Sequence, residues 1–341
     1  MVYLENLINI VNTLFLKRGK MFDIVTVGSA LVDVFVNTEL GEIKKDGKKL
    51  IAYPVGSKIS VKSIKFLIGG GGTNTAVSFS RLGFNTGYLG KIGNDKNGEE
   101  ILDLLKKEGI NFVGVRGGTT GYSVILDSKE HNRTVLTHKG ASDELKYGEL
   151  SLKKLKTKWF YFSSMLNDSL ITQKNLIKLA AWSDVKIAFN PSMYQIKKDI
   201  TSVKNILKKT DILILNKEEA TLLVKKRHIE DLLECARLLG PKIVCITDGR
   251  RNTYAYNGFL MYTLKPHDIK IKERTGAGDA FASGFVAGFI KKDNLEFALQ
   301  MGLANAESVV KYFGSKNKLL KWKEALKKIE KNPGKITKKE L

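Results

Sequence analysis

Cysteine and histidine are scarce in this chain of 341 residues. The two cysteines, Cys235 and Cys245, form no CxxC pair, which excludes a disulfide scaffold and a cysteine zinc site. The four histidines match no HExxH or other metal-ligand pattern, so we expect no histidine metal site. Such sparing use of cysteine is typical of a reducing compartment, and we predict a cytoplasmic location.

Long apolar runs are absent as well. No stretch approaches the roughly 20 apolar residues that a helix needs to cross a bilayer, so we expect no membrane span. Hydrophobic residues nevertheless make up 43% of the chain and charged residues 27%, close to the average of globular proteins. The sequence therefore excludes an intrinsically disordered chain and predicts a sizeable core.

Acidic residues are few relative to basic ones, 35 against 57, which gives a formal net charge of +22. This balance favours either a polyanionic partner or a lysine-rich solvated surface. The basic residues are scattered among acids and form no stripe interleaved with aromatic residues, so we favour the solvated surface and expect no specific nucleic-acid partner. The positive field would also attract anionic substrates such as nucleotide phosphates.

Residues 1–20 carry apolar residues at helical spacing, ahead of a strand-like run that Met21 opens. No basic segment precedes these residues and no small-residue cleavage site follows them, so we expect no signal peptide. We interpret residues 1–20 as an N-terminal extension that could be dispensable. A misassigned start and an amphipathic docking helix both stay open as explanations.

From residue 22 onwards, short apolar runs alternate with helical patterns. This alternation predicts an α/β fold in which helices cover both faces of a mainly parallel sheet. No linker or repeat divides the chain, so we predict one domain over residues 21–330 and a basic tail over 331–341. The predicted strands are Phe22 to Gly28, Thr86 to Lys91, Trp159 to Ser163, Val185 to Asn190, Asp211 to Asn216 and Lys242 to Thr247. The predicted helices are Thr73 to Leu82, Asn97 to Glu108, Ser169 to Ala181, Lys217 to Val224, Ile229 to Leu239, Gly278 to Ile290, Leu295 to Tyr312 and Leu319 to Ile329.

Two stretches break the alternation, Val32 to Phe66 and Gly121 to Thr137. Both carry β-like residues and turns with no convincing helix between them. We predict that they form strands outside the main sheet, as a small β lid. An exposed strand edge invites pairing, so a homodimer through this lid is a further hypothesis.

Four consecutive glycines open the segment Gly69 to Ala76, GGGGTNTA, which leads into a helical pattern. The segment lacks the GK[ST] ending of a P-loop and a clean GxGxxG. Its glycines would let the backbone approach a ligand closely, and a helix start offers free N–H donors. Asn74 adds a side chain that both donates and accepts, which suits a polyhydroxylated ligand. A tight strand-to-helix turn without a ligand is the other open interpretation.

A second glycine-rich segment, Thr275 to Phe281 (TGAGDAF), also opens a helical pattern. Small residues there would leave backbone N–H groups free at a helix start, which is an anion site. A carboxylate beside it, Asp279, would repel a bound phosphate, but it could accept the proton of a hydroxyl that attacks phosphorus. An ordinary helix-start acid is the alternative, but it leaves the glycines unexplained. The segment therefore favours a phosphotransfer site.

Together the two segments resemble the two signatures of the PfkB, or ribokinase-like, carbohydrate kinases, and the resemblance covers residues 22–320. Four further matches occur in the family's order. They are Gly28 with Asp33, the GxxGxDxxG stretch from Gly90 to Gly98, the NxxE motif from Asn216 to Glu219, and the TxG turn from Thr247 to Gly249. The resemblance implies a ribokinase-like fold, a mainly parallel central sheet flanked by helices, with a small β lid over the sugar.

The resemblance also implies roles for single residues. Asp279 would be the catalytic base, and the amides of Gly276, Ala277 and Gly278 would stabilise the transferring phosphoryl group. The implied cofactors are ATP and Mg²⁺. The acceptor hydroxyls would bind to Asp33, Gly69, Gly70 and Asn74; Asn216 and Glu219 would organise Mg²⁺ through water; and Thr247, Gly249, Asn305 and Gly314 would border the nucleotide.

Three sites depart from the family pattern. At one of them Asn252 stands where the TxGxxG turn usually has its second glycine, although asparagine also tolerates a positive φ. Glu273 and Arg274 stand where the family usually has Asp-Thr near a monovalent-cation loop, so potassium activation is doubtful. Arg274 could place a charge near the phosphates or could be a solvated arginine. Where ribokinases carry an acid that contacts ribose, this chain has Ser163 to Met165, so ribose is less favoured as the acceptor.

The leading functional hypothesis is ATP-dependent phosphotransfer to a hydroxyl of a sugar or sugar derivative. The alternative is a nucleoside kinase of the same fold, and a sugar phosphate or sugar acid is a third acceptor class. A non-catalytic sugar or nucleotide sensor and a basic nucleic-acid binder are distant alternatives. A base slot could be formed by Phe35, Tyr53 and Tyr122. An anionic acceptor could pair with Arg133, His138 and Lys139, although we favour a basic surface edge as the explanation of these three residues.

Overall fold

The structure, a computed structural model, describes residues 21–38, 41–129 and 133–341. The predicted N-terminal extension, residues 1–20, lies outside the described residues. The strands are β1 (Phe22–Val27), β2 (Leu31–Asn37), β3 (Ile43–Lys45), β4 (Lys48–Leu50), β5 (Ser63–Gly69), β6 (Thr86–Leu89), β7 (Lys91–Ile92), β8 (Asn111–Phe112), β9 (Val115–Arg116), β10 (Thr120–Asp127), β11 (Arg133–Gly140), β12 (Thr157–Ser163), β13 (Lys186–Asn190), β14 (Ile212–Asn216), β15 (Ile243–Thr247), β16 (Thr253–Tyr256), β17 (Leu260–Lys265) and β18 (Lys335–Glu340). The helices are α1 (Gly71–Arg81), α2 (Lys96–Lys107), α3 (Asn167–Trp182), α4 (Met193–Lys198), α5 (Ile200–Leu207), α6 (Lys217–Val224), α7 (Ile229–Leu238), α8 (Ala277–Lys292), α9 (Leu295–Val309) and α10 (Trp322–Lys331).

The central sheet has ten strands in the order β18-β17-β16-β15-β14-β13-β12-β1-β6-β8. The seven strands from β15 to β8 pair in parallel, and the three strands at the other edge pair antiparallel. Successive residues of the central strands face opposite sides of this sheet, and both sides are buried. In β12, for example, Phe160 and Phe162 pack in one core, whereas Tyr161 packs in the core on the opposite face with Phe285 of α8. A sheet buried on both faces explains why its strands form nearly continuous apolar runs in the sequence.

The predicted lid segments form a separate four-stranded sheet in the order β11-β10-β2-β5. Asp33 of β2 lies opposite Leu67 of β5 and Ser123 of β10, so these three residues share one face of the lid. By the same alternation, Thr137 and Lys139 of β11 belong to that face. The predicted fold class, a mainly parallel α/β sheet flanked by helices with a small β lid, is confirmed.

The sequence did not predict the antiparallel edge of the central sheet. Residues 335–340, placed in a basic tail, form the edge strand β18, which pairs with β17 over its whole length. Within it Ile336 lies opposite Leu264 and packs against the core, whereas the lysines of the strand are exposed. An edge strand rich in lysine is a common device against further strand pairing, and its polar composition hides it from a hydrophobic pattern.

No helix within residues 21–38, 41–129 and 133–341 is both long and apolar enough to cross a membrane.

Candidate active site

The predicted anion loop lies at the start of α8. Gly276 precedes the helix with a left-handed φ of 80°, and a Cβ at this position would lie 2.3 Å from Cβ of Ser315. Only glycine fits both constraints. The N–H of Ala277 donates to the carbonyl of Arg274 at 3.2 Å, so one of the three predicted phosphate-binding amides is engaged in the turn itself. A Cβ at Gly278 would meet no protein atom within 4 Å, so this residue faces open space.

Asp279 lies in the first turn of α8, where its Oδ2 accepts a hydrogen bond from Nδ2 of Asn74 at 2.7 Å. Withdrawal from water raises the pKa of the Asp279 carboxyl. The Asn74 hydrogen bond and the positive charges of Lys316 and Lys139 partly offset this rise. The carboxylate thus has a raised proton affinity and a fixed orientation, which is what a general base near neutral pH requires.

Asn74 was predicted to bind the acceptor, but the structure gives its side chain a different set of contacts. Its Oδ1 accepts hydrogen bonds from Nζ of Lys316 at 2.5 Å and from Oγ of Ser315 at 2.8 Å, while its Nδ2 donates to Asp279. Both ends of the amide are therefore engaged by the protein. Asn74 acts as a bracket between α8 and the loop after α9, a role that the sequence did not predict.

Asp33 is buried on the inner face of the lid, directly against Gly69. A Cβ at Gly69 would lie 2.1 Å from Oδ2 of Asp33, so only glycine allows the carboxylate to lie along this backbone. Gly70 has a φ of 98°, and a Cβ there would lie 2.4 Å from the carbonyl oxygen of Ser29. Burial raises the pKa of Asp33 to about 6, and the charge of Asp279 adds to the rise, while Lys316 opposes it. The structure therefore brings Asp33, Gly69 and Asp279 to one site.

The lid touches the anion loop. Nη1 of Arg133, on β11, lies 2.5 Å from Oε1 of Glu273 and also donates to the hydroxyl of Thr275. The same Glu273 oxygen accepts the N–H groups of Arg274 at 2.7 Å and of Thr275 at 2.8 Å. Glu273, which stands where the family usually has aspartate, thus organises the loop and anchors the lid. The side chain of Arg274 is exposed.

Ser163, at the end of β12, is a site residue that the sequence did not predict. Its residue is 5% exposed, and its Oγ has no hydrogen-bond partner among the residues that the structure describes. A Cβ placed on Gly71 would lie 3.1 Å from this hydroxyl and 3.6 Å from Oδ1 of Asp279. The unpaired hydroxyl therefore lies close to the Asp279 carboxylate. A serine at the carboxyl end of a parallel strand was the signal that could have identified it.

The predicted nucleotide residues are not all placed alike. Thr247 ends β15, and Gly249 follows with a φ of 60° and open space around its Cα. Gly314 has a φ of 91°, and a Cβ there would lie 2.8 Å from Leu67 of the lid.

Asn305, which was predicted to border the nucleotide, is instead fully buried in α9. Its Nδ2 donates to the hydroxyl of Ser78 and the carbonyl of Ala280, and its Oδ1 accepts from the N–H of Leu320. Its side chain braces the helices and does not face a nucleotide.

Asn216 and Glu219 form a capping box at the start of α6. Oδ1 of Asn216 accepts from the N–H of Glu219 at 2.8 Å, and Oε2 of Glu219 accepts from the N–H of Asn216 at 2.9 Å. Burial raises the pKa of Glu219 to about 7. Asn216 ends β14 as Ser163 ends β12, and these strands run parallel, so the capping box lies at the same end of the sheet as Ser163 and Asp279. Oxygen donors held in this way fit water-mediated contact with Mg²⁺.

Residues 21–322 match the family described as pfkB family carbohydrate kinase. The chain is 28% identical over 250 residues to an uncharacterized sugar kinase of Archaeoglobus fulgidus, which covers 71% of this chain and 98% of the relative. It is 26% identical over 306 residues to a cytidine kinase of Thermococcus kodakarensis, which covers 86% of this chain and 98% of the relative.

A solved structure of a putative ribokinase II from E. coli, in complex with ATP and Mg²⁺, is similar with a TM-score of 0.77. It covers 91% of this chain and 99% of its own at 18% sequence identity, so the likeness shows the fold. The fold of this chain is therefore ribokinase-like. Since the family match spans most of the chain, this protein belongs to the pfkB family of carbohydrate kinases and is a phosphotransferase that acts on a sugar.

Proposed function

We propose that this protein transfers the γ-phosphoryl group of ATP to a hydroxyl of a sugar or sugar derivative, with Asp279 as the general base. The observation that carries the proposal is the position of the Asp279 carboxylate, which Asn74 holds beside the open face of Gly278. A carboxylate next to an anion-binding helix start has little use in a site that only binds phosphate. It is the group required when a hydroxyl must lose its proton as it attacks phosphorus.

The chemistry follows from this placement. The acceptor hydroxyl gives its proton to Asp279, and its oxygen bonds to the γ-phosphorus while the bond from that phosphorus to the bridging oxygen of ADP breaks. Free N–H groups at the start of α8, foremost that of Gly278, stabilise the negative charge of the transferring group. Mg²⁺, when it binds with ATP, neutralises phosphate charge, and Asn216 and Glu219 would hold its water shell. Thr247, Gly249 and Gly314 border the adenine nucleotide.

Asp33, the backbone of Gly69 and Gly70, and the unpaired hydroxyl of Ser163 would hold the acceptor. All lie near Asp279, and each offers polar atoms suited to sugar hydroxyls. A nucleoside is the second candidate, because Phe35 and Ile125 occupy the same lid face as Asp33, and one relative is named cytidine kinase. Tyr122, in contrast, contacts Asn97 of α2 on the opposite lid face and cannot form a base slot.

The experiment that tests this function is a screen of ATP consumption against pentoses, hexoses, sugar acids, sugar phosphates and nucleosides, with the Asp279→Asn variant as control. We expect one acceptor class to stimulate ADP formation in the wild type alone. A sensor would bind such a compound without consuming ATP, and a nucleic-acid binder would instead show duplex DNA binding that falls steeply with salt.

The contact between the lid and the anion loop leads to a prediction. Arg133→Met removes the ion pair with Glu273, and because this pair is partly exposed we expect kcat/KM for the acceptor to fall by about five-fold or less. ATP affinity should stay close to that of the wild type. Steady-state kinetics with each substrate varied would measure both values. Arg116→Met, which breaks an ion pair with Glu99 that does not join the lid to the anion loop, is the matched control. An equal effect of the two variants would contradict a role for the lid contact.

The raised proton affinities of the two site carboxylates predict how activity depends on pH. Asp33 has a pKa of about 6, and the pKa of Asp279 is also raised by burial. Because both must be ionised, to accept a hydrogen bond and a proton respectively, kcat/KM should fall as the pH drops through about 6. A pH profile of kcat/KM, with circular dichroism confirming a folded protein at each pH, would measure this. A flat profile down to about pH 5 would count against both assignments.

A further inference from the structure

Lys316, in the segment after α9, has no role in the function described above. Its Nζ donates to the carbonyl of Ile68 at 2.7 Å and to Oδ1 of Asn74 at 2.5 Å. The backbone carbonyl of Lys316 in turn accepts a hydrogen bond from Nη1 of Arg81 at 2.9 Å. The ammonium is therefore held by Ile68 and Asn74, and the backbone of Lys316 is held by Arg81, close to Asp279 at the start of α8.

The two donors on Oδ1 decide how the Asn74 amide is oriented. An asparagine side chain has one accepting end and one donating end. Lys316 and Ser315 both donate to the same oxygen, so the NH₂ group must point the other way, to Oδ2 of Asp279. A flipped amide would place its NH₂ against an ammonium and its oxygen against a carboxylate. The arrangement thus transmits the position of Lys316 to Asp279 through a single side chain.

Charged groups around Asp279 affect how readily its carboxyl ionises, and Lys316 is one of them. Lys316 and Lys139 of β11 favour the ionised carboxylate. Burial and, in turn, the negative charge of Asp279 raise the pKa of Asp33 on β2 and of the buried Tyr161 on β12. Burial lowers the pKa of Lys316 to about 8, so its ammonium stays mostly protonated at neutral pH. Loss of this cation would leave Lys139 to act on both carboxylates and Arg133 to act on Asp33 alone.

We propose that Lys316 is a positioning residue of the phosphotransfer site, whose ammonium fixes the Asn74 amide so that Asn74 aims the Asp279 carboxylate at the acceptor hydroxyl. The inference rests on the proposed function, in which Asp279 is the base. It assigns Lys316 no contact with either substrate. A loss of positioning should therefore appear in kcat and not in the dissociation constant of ATP.

The test is Lys316→Met, which keeps an unbranched side chain but removes the charge and both hydrogen bonds. We expect kcat to fall by about 10- to 100-fold, since a small misplacement of a catalytic group has effects of this size. We also expect the acid limb of the pH profile of kcat to move to higher pH, because removal of a nearby cation raises the pKa of Asp279. Ser315→Ala removes only the second donor to Asn74, so it should lower kcat less and leave the acid limb in place.

Lys328→Met is the matched control. Lys328 is another partly buried lysine that donates to a backbone carbonyl, that of Ala304, and pairs with Glu307, but it lies outside the site. We expect this variant to lower the melting temperature without moving the pH profile. If Lys316→Met behaves in the same way while Asp279→Asn is inactive, Lys316 is only structural and the proposal is overturned, although the proposed function stands.

Two further outcomes separate the two hypotheses. If Asp279→Asn stays active, the proposed base is wrong, whatever Lys316 does. If Lys316→Met does not give folded protein, Ser315→Ala decides, because a wild-type kcat in that variant would overturn the role of the Asn74 bracket.

Discussion

Asp279→Asn should lower kcat by at least about 100-fold, and by as much as about 10,000-fold, because general-base catalysis contributes a factor of this size. The amide keeps the shape of the side chain and the start of α8, but it cannot accept the proton of the acceptor hydroxyl. Single-turnover and steady-state kinetics on the acceptor that the screen identifies would measure the loss of the chemical step.

The dissociation constant of ATP should change little in the same variant, since backbone amides bind the phosphates and the substitution leaves them in place. It could tighten slightly, because a negative charge near the γ-phosphate is removed. Glu296→Gln is the matched control, since Glu296 also lies in the first turn of a helix, α9, which begins beyond the opposite end of α8 from Asp279. If Asp279→Asn kept more than about a tenth of the wild-type kcat with chemistry rate-limiting, the carboxylate would be a structural helix-start acid.

The sequence allowed the parallel core and the two glycine-rich loops to be predicted, because both depend on local chemistry. Strands that are buried on both faces of a sheet are apolar runs in the sequence. The positive φ of Gly276 before a helix favours glycine, and a glycine at that place can be recognised from the sequence alone. The antiparallel edge was missed for the opposite reason. Residues 335–340 are mostly polar and charged, and only pairing with β17 makes them a strand.

Single site residues were harder to predict than the loops that carry them. Asn74 contacts Asp279 and Lys316, which are 205 and 242 positions away in the chain, so no local pattern reveals the bracket. The same residue type can also serve either a ligand or the fold. Asn305 was predicted beside the nucleotide, yet its amide is used up in bracing α8 and α9. Only the hydrogen-bond partners of each polar group in the folded structure distinguish these two uses.

The Gly278→Val variant should lose both catalysis and ATP affinity while keeping its fold. A Cβ at Gly278 would meet no protein atom within 4 Å, so the valine would project into the space beside Asp279 where the transferring phosphoryl group must lie. The residue is exposed and helical, and valine is no worse than glycine in a helix, so stability should be unchanged or slightly higher. We expect kcat to fall by about 100-fold, comparable to the loss of one oxyanion-hole donor, with a weaker dissociation constant for ATP.

Gly148→Val is the control for this substitution. Gly148 lies in a short 3₁₀ helix, Tyr147–Glu149, and a Cβ there also meets no protein atom within 4 Å, but it is far from the anion loop in the chain and carries no predicted role. Thermal denaturation should leave both variants close to the wild type, while ATP titration should separate them. If Gly278→Val bound ATP as tightly as Gly148→Val, the open face of the loop would not be the phosphate site, and the amides at the start of α8 would have to stabilise something other than the transferring group.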